Sequence, residues 1–163
     1  MRNTKLNLPT LEKSSIFGTH ISIIWTILAL LTLAFIGYIT HSAMLVPPIA
    51  ASAMYIFGAP TIPGTQPRSV LLGHVMAALV GFALLYIFGT GEWVAALATG
   101  LAAFIMNATK LFHIPAVATA ALVVLLHPAL SFIYTLGVAS TVLAVLGWTA
   151  SKTTKTIQYP LYW

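Results

Sequence analysis

Among the ionisable residues that adjoin the long apolar runs, two histidines and two cations are the candidates for chemistry. His113 stands two residues before Pro115, Lys110 lies one turn earlier, and His74 follows Arg68 at the start of another apolar run. Ionisable groups inside a membrane are costly and mark functional sites. A cation beside a histidine would attract an anion and donate hydrogen bonds to it, and a histidine that titrates near neutral pH would make transport pH-dependent. For His74, a structural hydrogen bond to a carbonyl is an equally good interpretation.

A proline followed by small residues occurs twice, 67 residues apart. Pro48 and Pro115 each open the pattern P-x-x-A-[S/T]-A, which places Ser52 and Thr119 at equivalent positions. Proline fits the first turn of a helix, so the pattern predicts two short helices, at 48–57 and 115–126, that reach about half of a hydrocarbon core. The two hydroxyls are candidate donors to a solute, although back-bonding to their own helices explains them equally well.

Two short helices at equivalent places are typical of a transporter or pore. The N-terminus of a helix carries the positive end of its dipole and unpaired N–H groups. If both N-termini point at the membrane midplane, they form an anion site near Pro48 and Pro115.

Acidic side chains are almost absent. Glu12 and Glu92 are the two carboxylates, and neither lies within a predicted span. This disfavours cation- and proton-coupled carriers that use intramembrane carboxylates, and also hydrolases. Without cysteine, metal-ligand spacing or a catalytic motif, we predict neither an enzyme nor a cofactor. A haem held between His74 and His113 stays as an alternative.

The elements that must position these residues are membrane helices. The 163 residues are 60% hydrophobic and 6% charged, with a mean hydropathy of +0.99, which lies outside the range of soluble domains. The net charge of +5 reflects scarce carboxylates, not a basic patch, so we expect no nucleic-acid partner. Four long spans are predicted, at 20–38, 70–88, 93–108 and 130–150. A polar lead-in is predicted at 1–19 and a proline-rich loop at 58–69.

The two short helices could cross the membrane or re-enter it. Crossing gives an all-α polytopic membrane protein with six membrane segments, arranged as two inverted three-segment repeats. Re-entry gives four spans plus two re-entrant helices. With six crossings every Lys and Arg lies inside, which the positive-inside rule favours. The chain 1–163 is then one transmembrane domain, with repeats at 20–88 and 89–151 and a tail at 152–163.

Small residues recur at four-residue intervals in two predicted spans, as Gly73, Ala77 and Gly81 and as Ala96 and Gly100. This spacing permits close helix contact in lipid. Internal packing is the better explanation. A chain of this size is nevertheless expected to form a homo-oligomer in order to wall a pathway.

Several pieces of the sequence between Val46 and Leu126 resemble the HPP family of small integral membrane proteins. They are P-P-I-A-A-S-A, F-G-A-P, Q-P-R, G-H and T-K-x-x-H-x-P-A-x-A-T-A, in the family's order. The His-Pro-Pro motif is here His113-Ile114-Pro115. The resemblance implies transport, with some plastid and cyanobacterial members linked to nitrite, and a description as four spans. It implies no catalytic residues, and its matching polar positions are Gln66, Arg68, His74, Thr109, Lys110 and His113.

We therefore predict a small-anion channel or facilitator, with nitrite as the favoured solute. Lys110, Arg68 and His113 would supply positive potential around the converging helix ends. The alternatives are a carrier of a small neutral solute, a haem-binding electron-transfer subunit and a membrane scaffold. The expected partners are membrane lipid and a small inorganic anion. Because no transit peptide is recognised, we expect a prokaryotic plasma membrane, with both termini in the cytoplasm.

Overall fold

The computed structural model describes residues 20–154 and 158–163, and its regular elements in these ranges are all helical. The predicted all-α fold and its six helices are therefore confirmed, and their bounds agree to within a few residues. The predicted polar lead-in, 1–19, lies outside the described residues. The helices are α1 (His20–Thr40), α2 (Pro47–Gly58), α3 (Pro67–Phe88), α4 (Glu92–Ala108), α5 (Ile114–Leu126) and α6 (Phe132–Thr153).

The helices fall into two length classes. Among the described residues, α1, α3 and α6 are long and apolar enough to cross a membrane. Helix α4 is apolar but has 17 residues, and α2 and α5 have 12 and 13. At a rise of ~1.5 Å per residue, α2 and α5 are roughly 18–20 Å long, well short of a ~30 Å hydrocarbon core. The two predicted short helices are therefore confirmed as short.

The proline-rich segment 58–69 is more ordered than the sequence suggested. We predicted that its prolines exclude helix, but Pro63–Thr65 forms one turn of 3₁₀ helix and α3 begins at Pro67. This part of the prediction is wrong because proline blocks the interior of a helix but fits its first turn. The Thr65 hydroxyl donates to the Ile62 carbonyl at 2.7 Å, which closes the turn.

A buried amide ties this segment to the end of the described chain. Gln66 Nε2 donates to the carbonyls of Pro60 (2.8 Å) and Ile62 (3.1 Å). The Leu161 N–H donates to Gln66 Oε1 at 2.8 Å. Since buried polar groups need partners, one fully buried side chain holds both the turn and the tail in place.

Helix α2 runs antiparallel to α1. The segment after α1 turns back along it, where a Cβ atom at Gly37 would lie 3.6 Å from Met44 Cβ. At the other end of α2, the ring of Phe57 stacks on Trp25, near the start of α1, with 6.4 Å between ring centroids. The 12 residues of α2 therefore lead away from the Met44 level towards the N-terminal end of α1.

Helices α3 and α5 run in the same direction and approach closely. A Cβ atom at Gly73 would lie 3.1 Å from His113 Cβ, and one at Gly81 would lie 2.8 Å from the Ala120 carbonyl oxygen. Internal packing of this small-residue stripe is therefore confirmed. The second stripe, on α4, differs, because nothing lies within 4 Å of a Cβ atom at Gly100.

Buried apolar side chains form two clusters. One joins α1, α2 and α6 with a face of α3, and we call it the α2 cluster; the other joins α3, α4 and α5, and we call it the α5 cluster. The α2 cluster includes Leu33, Ile49, Ala53, Leu136 and Leu143, and the α5 cluster includes Ala77, Ala98, Met106, Ala116 and Ala120.

Candidate functional site

Four of the predicted site residues meet in the interior of the helical bundle. Thr119, His74, Ser52 and His113 have no exposed surface, and hydrogen bonds join them in that order. We call them the buried network. They come from α5, α3, α2 and the residue that caps the N-terminus of α5. The equivalent hydroxyls of the two sequence copies are thereby linked through two histidines.

The contacts within the buried network are short. Ser52 Oγ lies 2.8 Å from His74 Nε2 and 2.7 Å from His113 Nε2. Thr119 Oγ1 lies 2.8 Å from His74 Nδ1. At the other end, His113 Nδ1 lies 2.6 Å from the carbonyl oxygen of Gly64. Each ring nitrogen of both histidines therefore has a hydrogen-bond partner.

The donor of each bond follows from the chemistry of the partners. A carbonyl oxygen only accepts, so His113 Nδ1–H donates to Gly64. In a neutral imidazole the other nitrogen accepts, so the Ser52 hydroxyl donates to His113 Nε2. Ser52 has then used its one hydrogen and must accept from His74 Nε2–H, which leaves His74 Nδ1 to accept from Thr119. When both histidines are neutral, every bond thus runs from Thr119 towards Gly64.

Local structure explains how the two short helices present these groups. His113 is extended (φ −122°, ψ 107°) and its carbonyl accepts from the Ala116 N–H at 3.0 Å, so α5 begins directly behind its side chain. Ser52 lies one turn into α2, where its Oγ is also 2.8 Å from the Pro48 carbonyl. A carbonyl oxygen only accepts, so the predicted back-bond of Ser52 can form only when its hydroxyl hydrogen turns from His113 to Pro48. No back-bond to α5 is found for Thr119 among the described residues.

A glycine makes room for His113. A Cβ atom at Gly73 would lie 3.1 Å from His113 Cβ and 3.3 Å from the Leu111 carbonyl oxygen. The Gly73-His74 pair therefore serves the site twice, since the glycine admits one histidine and its neighbour supplies the other.

The two predicted cations lie apart from the buried network. Arg68 and Lys110 are exposed, whereas the buried network has no exposed surface. Lys110 has a φ of 57°, in the left-handed turn that ends α4. The long cationic side chains therefore stand near the site in sequence but outside it in space.

The prolines that begin the short helices reduce the number of N–H donors there. Pro48 is buried and Pro115 half-buried, and each is the second residue of its helix. Pro47 precedes Pro48, so the first two residues of α2 lack an N–H. The N-terminal cap of α5, His113, contacts α2 at Ser52, one turn beyond Pro48. Side chains thus supply most of the hydrogen-bonding groups at this point.

A cavity of about 300 Å³ lies between α2 and the start of α5. Tyr55 lines it and also faces the buried network, with 5.8 Å between its ring centroid and that of His113. The cavity adjoins Pro115, one of the predicted site residues. Its other lining residues are Ala51, Met54, Gly58, Ala59, Ile62 and Ile114.

The histidine pair does not fit the haem alternative. The two rings are 5.2 Å apart between centroids and meet edge to face, at 64°. This separation leaves no space for a macrocycle between them, and the nitrogens of His74 and His113 are already bonded. No group of three or more potential metal ligands occurs among residues 20–154 and 158–163.

Sequence reasoning missed the carbonyl of Gly64 and the ring of Tyr55. Both belong to segments that we had read only as a loop and as a helix. The motif P-G-T-Q-P carried a signal for Gly64, because a glycine with no room for a side chain allows close backbone approach. A Cβ atom at Gly64 would lie 2.7 Å from the Phe112 carbonyl oxygen.

Comparison with known proteins gives relatives that are described as membrane proteins. The chain is 43% identical over 89 residues to one transmembrane protein of Dictyostelium discoideum and 38% identical over 113 residues to another. These matches cover 52% and 62% of the chain but 29% and 40% of the relatives, so the chain spans less than half of their length. No solved structure matches. The model of the HPP transmembrane region matches residues 12–160, and with its long apolar helices the chain is an integral membrane protein that belongs to the HPP family.

Proposed function

We propose that this protein transports a small anion through the buried network, and that nitrite is the first solute to test. One observation carries the proposal. Two histidines and two hydroxyls are buried where the two short helices meet, and Glu92, the acidic side chain among the described residues, is exposed at the start of α4. Polar groups at such a place are costly and mark a solute pathway. Imidazole and hydroxyl groups can donate hydrogen bonds to an oxyanion when the anion replaces one of their present partners.

Contacts at the ends of the short helices support six crossings. Phe57 reaches the level of Trp25 at the start of α1, and the Thr90 hydroxyl before α4 donates to the Val124 carbonyl near the end of α5, at 3.1 Å. Each short helix thus extends to the start of the helix before it, as an extended approach plus a half-helix would do. On this topology both described ends of the chain, and all described cations, lie on one side, which we propose is the cytoplasm.

The pattern of helix contacts supports an inverted repeat. In the proposed repeat, α1, α2 and α3 correspond to α4, α5 and α6. The contact of α1 with α2 then corresponds to that of α4 with α5. The contact of α3 with α5 corresponds to that of α6 with α2. The contacts of α3 with α4 map in the same way onto those of α6 with α1. Such exchange is expected of two copies related by a two-fold axis in the membrane plane.

The exposed cations fit a role at the entrance. On the proposed topology Arg68 and Lys110 lie on the side from which α5 begins. Positive charge there would raise the local concentration of an anion without binding it tightly. Their removal should slow transport less than removal of His113.

A neutral solute is the second candidate, and the cavity beside Tyr55 favours it. Its lining side chains are apolar apart from the Tyr55 hydroxyl. Nitrous acid, the conjugate acid of nitrite, would enter such a cavity more easily than a charged ion.

The exposed face of α4 is proposed as the place where copies of the chain meet. Trp93, Leu97 and Phe104 are exposed there, around the open surface of Gly100. Small residues flanked by large apolar ones allow close packing of helices in lipid.

The test is uptake of ¹⁵N-nitrite into vesicles that contain the purified protein. Chloride, formate and nitrate serve as competitors, and protein-free vesicles measure passive leakage of nitrous acid. We expect selective, protein-dependent uptake, and a loss of about 10- to 100-fold in His113→Gln, since a lost hydrogen bond in a buried site costs about 1–3 kcal/mol.

The matched control is His127→Gln, because His127 is exposed and lies at the far end of α5. Uptake that equals the protein-free background, or equal uptake by His113→Gln and wild type, would contradict the proposed function. An imposed membrane potential separates a bare anion from a neutral solute.

A further inference from the structure

We infer that the buried network takes up one proton and conducts it from Thr119 to His113, so that the transported anion moves together with a proton. This inference rests on the proposed function and adds that anion transport is coupled to proton transport. Intramembrane carboxylates usually do this work, and here two histidines stand in their place. Four contacts join Thr119 to Gly64, and the number of hydrogens in them decides which group donates in each.

The buried network has two arrangements in which every contact is a hydrogen bond. With both histidines neutral, Thr119 donates to His74, His74 to Ser52, Ser52 to His113, and His113 to Gly64. With one extra proton, His113 carries a hydrogen on both nitrogens and donates to Ser52. Ser52 then donates to His74 Nε2, and His74 Nδ1–H donates to Thr119. The bonds between Thr119 and His113 have all reversed.

One proton from a hydronium ion, which leaves as water, converts the first arrangement into the second. It binds Thr119 Oγ1, while the former Thr119 hydrogen moves to His74 Nδ1. The hydrogen on His74 Nε2 moves to Ser52 Oγ, and the Ser52 hydrogen moves to His113 Nε2. Each O–H or N–H bond that breaks is replaced by one that forms, and the positive charge ends on His113. Contacts of 2.7–2.8 Å suit such transfers.

The Pro48 carbonyl gives Ser52 a second acceptor. It lies 2.8 Å from Ser52 Oγ, so the hydroxyl can turn from a histidine to this oxygen without losing a hydrogen bond. The hydroxyl is thus able to reorient between transfers. A proton pathway needs such a reset because each passage leaves the chain of bonds reversed.

An anion and the proton favour each other at this place. The extra charge on His113 would sit at the N-terminus of α5, where the helix dipole already contributes positive charge. An anion beside His113 offsets the repulsion between these two positive charges, and the protonated ring in turn attracts the anion. By linkage, each increases the binding of the other equally. Transport of one anion with one proton is then electrically neutral.

Few other ionisable groups face the histidines. Tyr55 of α2 faces His113 across 5.8 Å. On α3 and before α5, Arg68 and Lys110 are exposed, and Glu92 lies at the opposite end of α4 from the turn that leads to His113. Lys152 on α6 lies over the Trp148 ring, 5.9 Å from its centroid. The extra proton therefore has no nearby carboxylate to hold it among the described residues.

The first experiment is ¹⁵N NMR of histidine-labelled protein in lipid bilayers across a range of pH. His74→Gln and His113→Gln assign the signals, and exposed His41 is an internal reference. We expect His74 to carry its hydrogen on Nε2 at high pH and on Nδ1 at low pH, as His113 becomes doubly protonated. A single His74 tautomer throughout the titration would overturn the inference.

The second experiment follows internal pH with a trapped dye in vesicles during nitrite uptake. We expect nitrite to carry protons inwards faster than in protein-free vesicles. Thr119→Val keeps the shape but removes the hydroxyl, and should reduce the protein-dependent proton flux at least about 100-fold, the lower range for positioned proton transfer. Thr119→Ser, which keeps the hydroxyl, should retain that flux.

The outcomes separate the two claims. Nitrite flux that follows an imposed membrane potential and ignores a pH gradient overturns the proton coupling and leaves anion transport standing. If no protein-dependent nitrite flux exists, the proposed function fails, and the NMR titration still decides whether the buried network takes up a proton and reverses.

Discussion

The two short helices share a sequence pattern but make different use of it. The residue that caps α2 is Val46, whereas the residue that caps α5 is His113. Ser52 on α2 contacts both histidines and its own helix, while Thr119 on α5 contacts His74 alone among the described residues. The repeated pattern thus forms two similar short helices, and single side chains give these helices different hydrogen-bonding groups.

The long helices behind them differ in the same way. Gly81 of α3 packs against Val123 of α5, and Gly147 of α6 packs against Ile56 of α2. Val123 and Ile56 are equivalent in the 67-residue repeat, and the two glycines, 66 residues apart, play the same part in packing. Two turns before these glycines lie His74 and Ser140 respectively. His74 has two hydrogen-bond partners, whereas the buried hydroxyl of Ser140 has none among the described residues. Of these two long helices, α3 therefore supplies a hydrogen-bonding side chain to the buried network, and α6 does not.

The largest loss of stability is expected where α3 packs directly against the backbone of α5. In Gly81→Ala, the new Cβ atom would lie 2.8 Å from the Ala120 carbonyl oxygen and 2.9 Å from Val123 Cβ. Helix α5 must then move, at a cost of about 3 kcal/mol in the free energy of unfolding. Thermal unfolding in detergent measures this loss.

Gly100→Ala is the matched control, because its Cβ atom would meet nothing within 4 Å. It should raise stability by about 0.5–1 kcal/mol through the helix propensity of alanine. Gly147→Ala should fall between the two, since its closest neighbour is the ring of Tyr159 in the tail. Equal effects at all three glycines would show that the two halves do not differ in packing.

The next effect compares the two hydroxyls. Ser52→Ala leaves nitrogens of both histidines without a partner and should cost about 2 kcal/mol of stability, whereas Thr119→Val affects one histidine and should cost about 1 kcal/mol. The double variant should lose less than the sum, because both residues belong to one hydrogen-bonded network. Thermal unfolding of the four proteins gives the coupling, and strict additivity would argue against a continuous network.

The smallest effect is a gain. Ser140→Ala removes a buried hydroxyl that has no partner, and it should stabilise the protein by about 1 kcal/mol, or raise the melting temperature by roughly 2–4 °C. A loss of stability would indicate that Ser140 has a partner when the protein is in the membrane. Ser140→Ala and Ser52→Ala should therefore change the stability in opposite directions, because Ser52 has hydrogen-bond partners and Ser140 has none among the described residues.

Much of the frame was predictable because membrane helices depend on local composition. Apolar runs located the long helices, and prolines located the starts of the short ones. The repeat placed Ser52 and Thr119 as partners in the same site. The contact of both hydroxyls with histidines was not predictable, because it depends on how α3 crosses α5 at Gly73.

The cations show that residues close in sequence can have very different surroundings. Lys110 is three residues from His113 in sequence, and that proximity suggested a shared site. The left-handed turn at Lys110 instead leaves its side chain exposed, while His113 turns inwards. A sequence gives the spacing of two residues along the chain, but a single turn between them decides whether their side chains meet.

The two apolar clusters divide the buried network unevenly. Ser52 stands on α2, whose buried apolar side chains belong to the α2 cluster, and Thr119 stands on α5, most of whose buried apolar side chains belong to the α5 cluster. Helix α3, which carries His74, contributes side chains to both clusters. A shift of α2 against α5 would therefore separate Ser52 from His113 and interrupt the chain of hydrogen bonds at its middle. While such a shift lasted, protons could not pass between Thr119 and His113, so the passage of a solute and the leakage of protons would be separated in time.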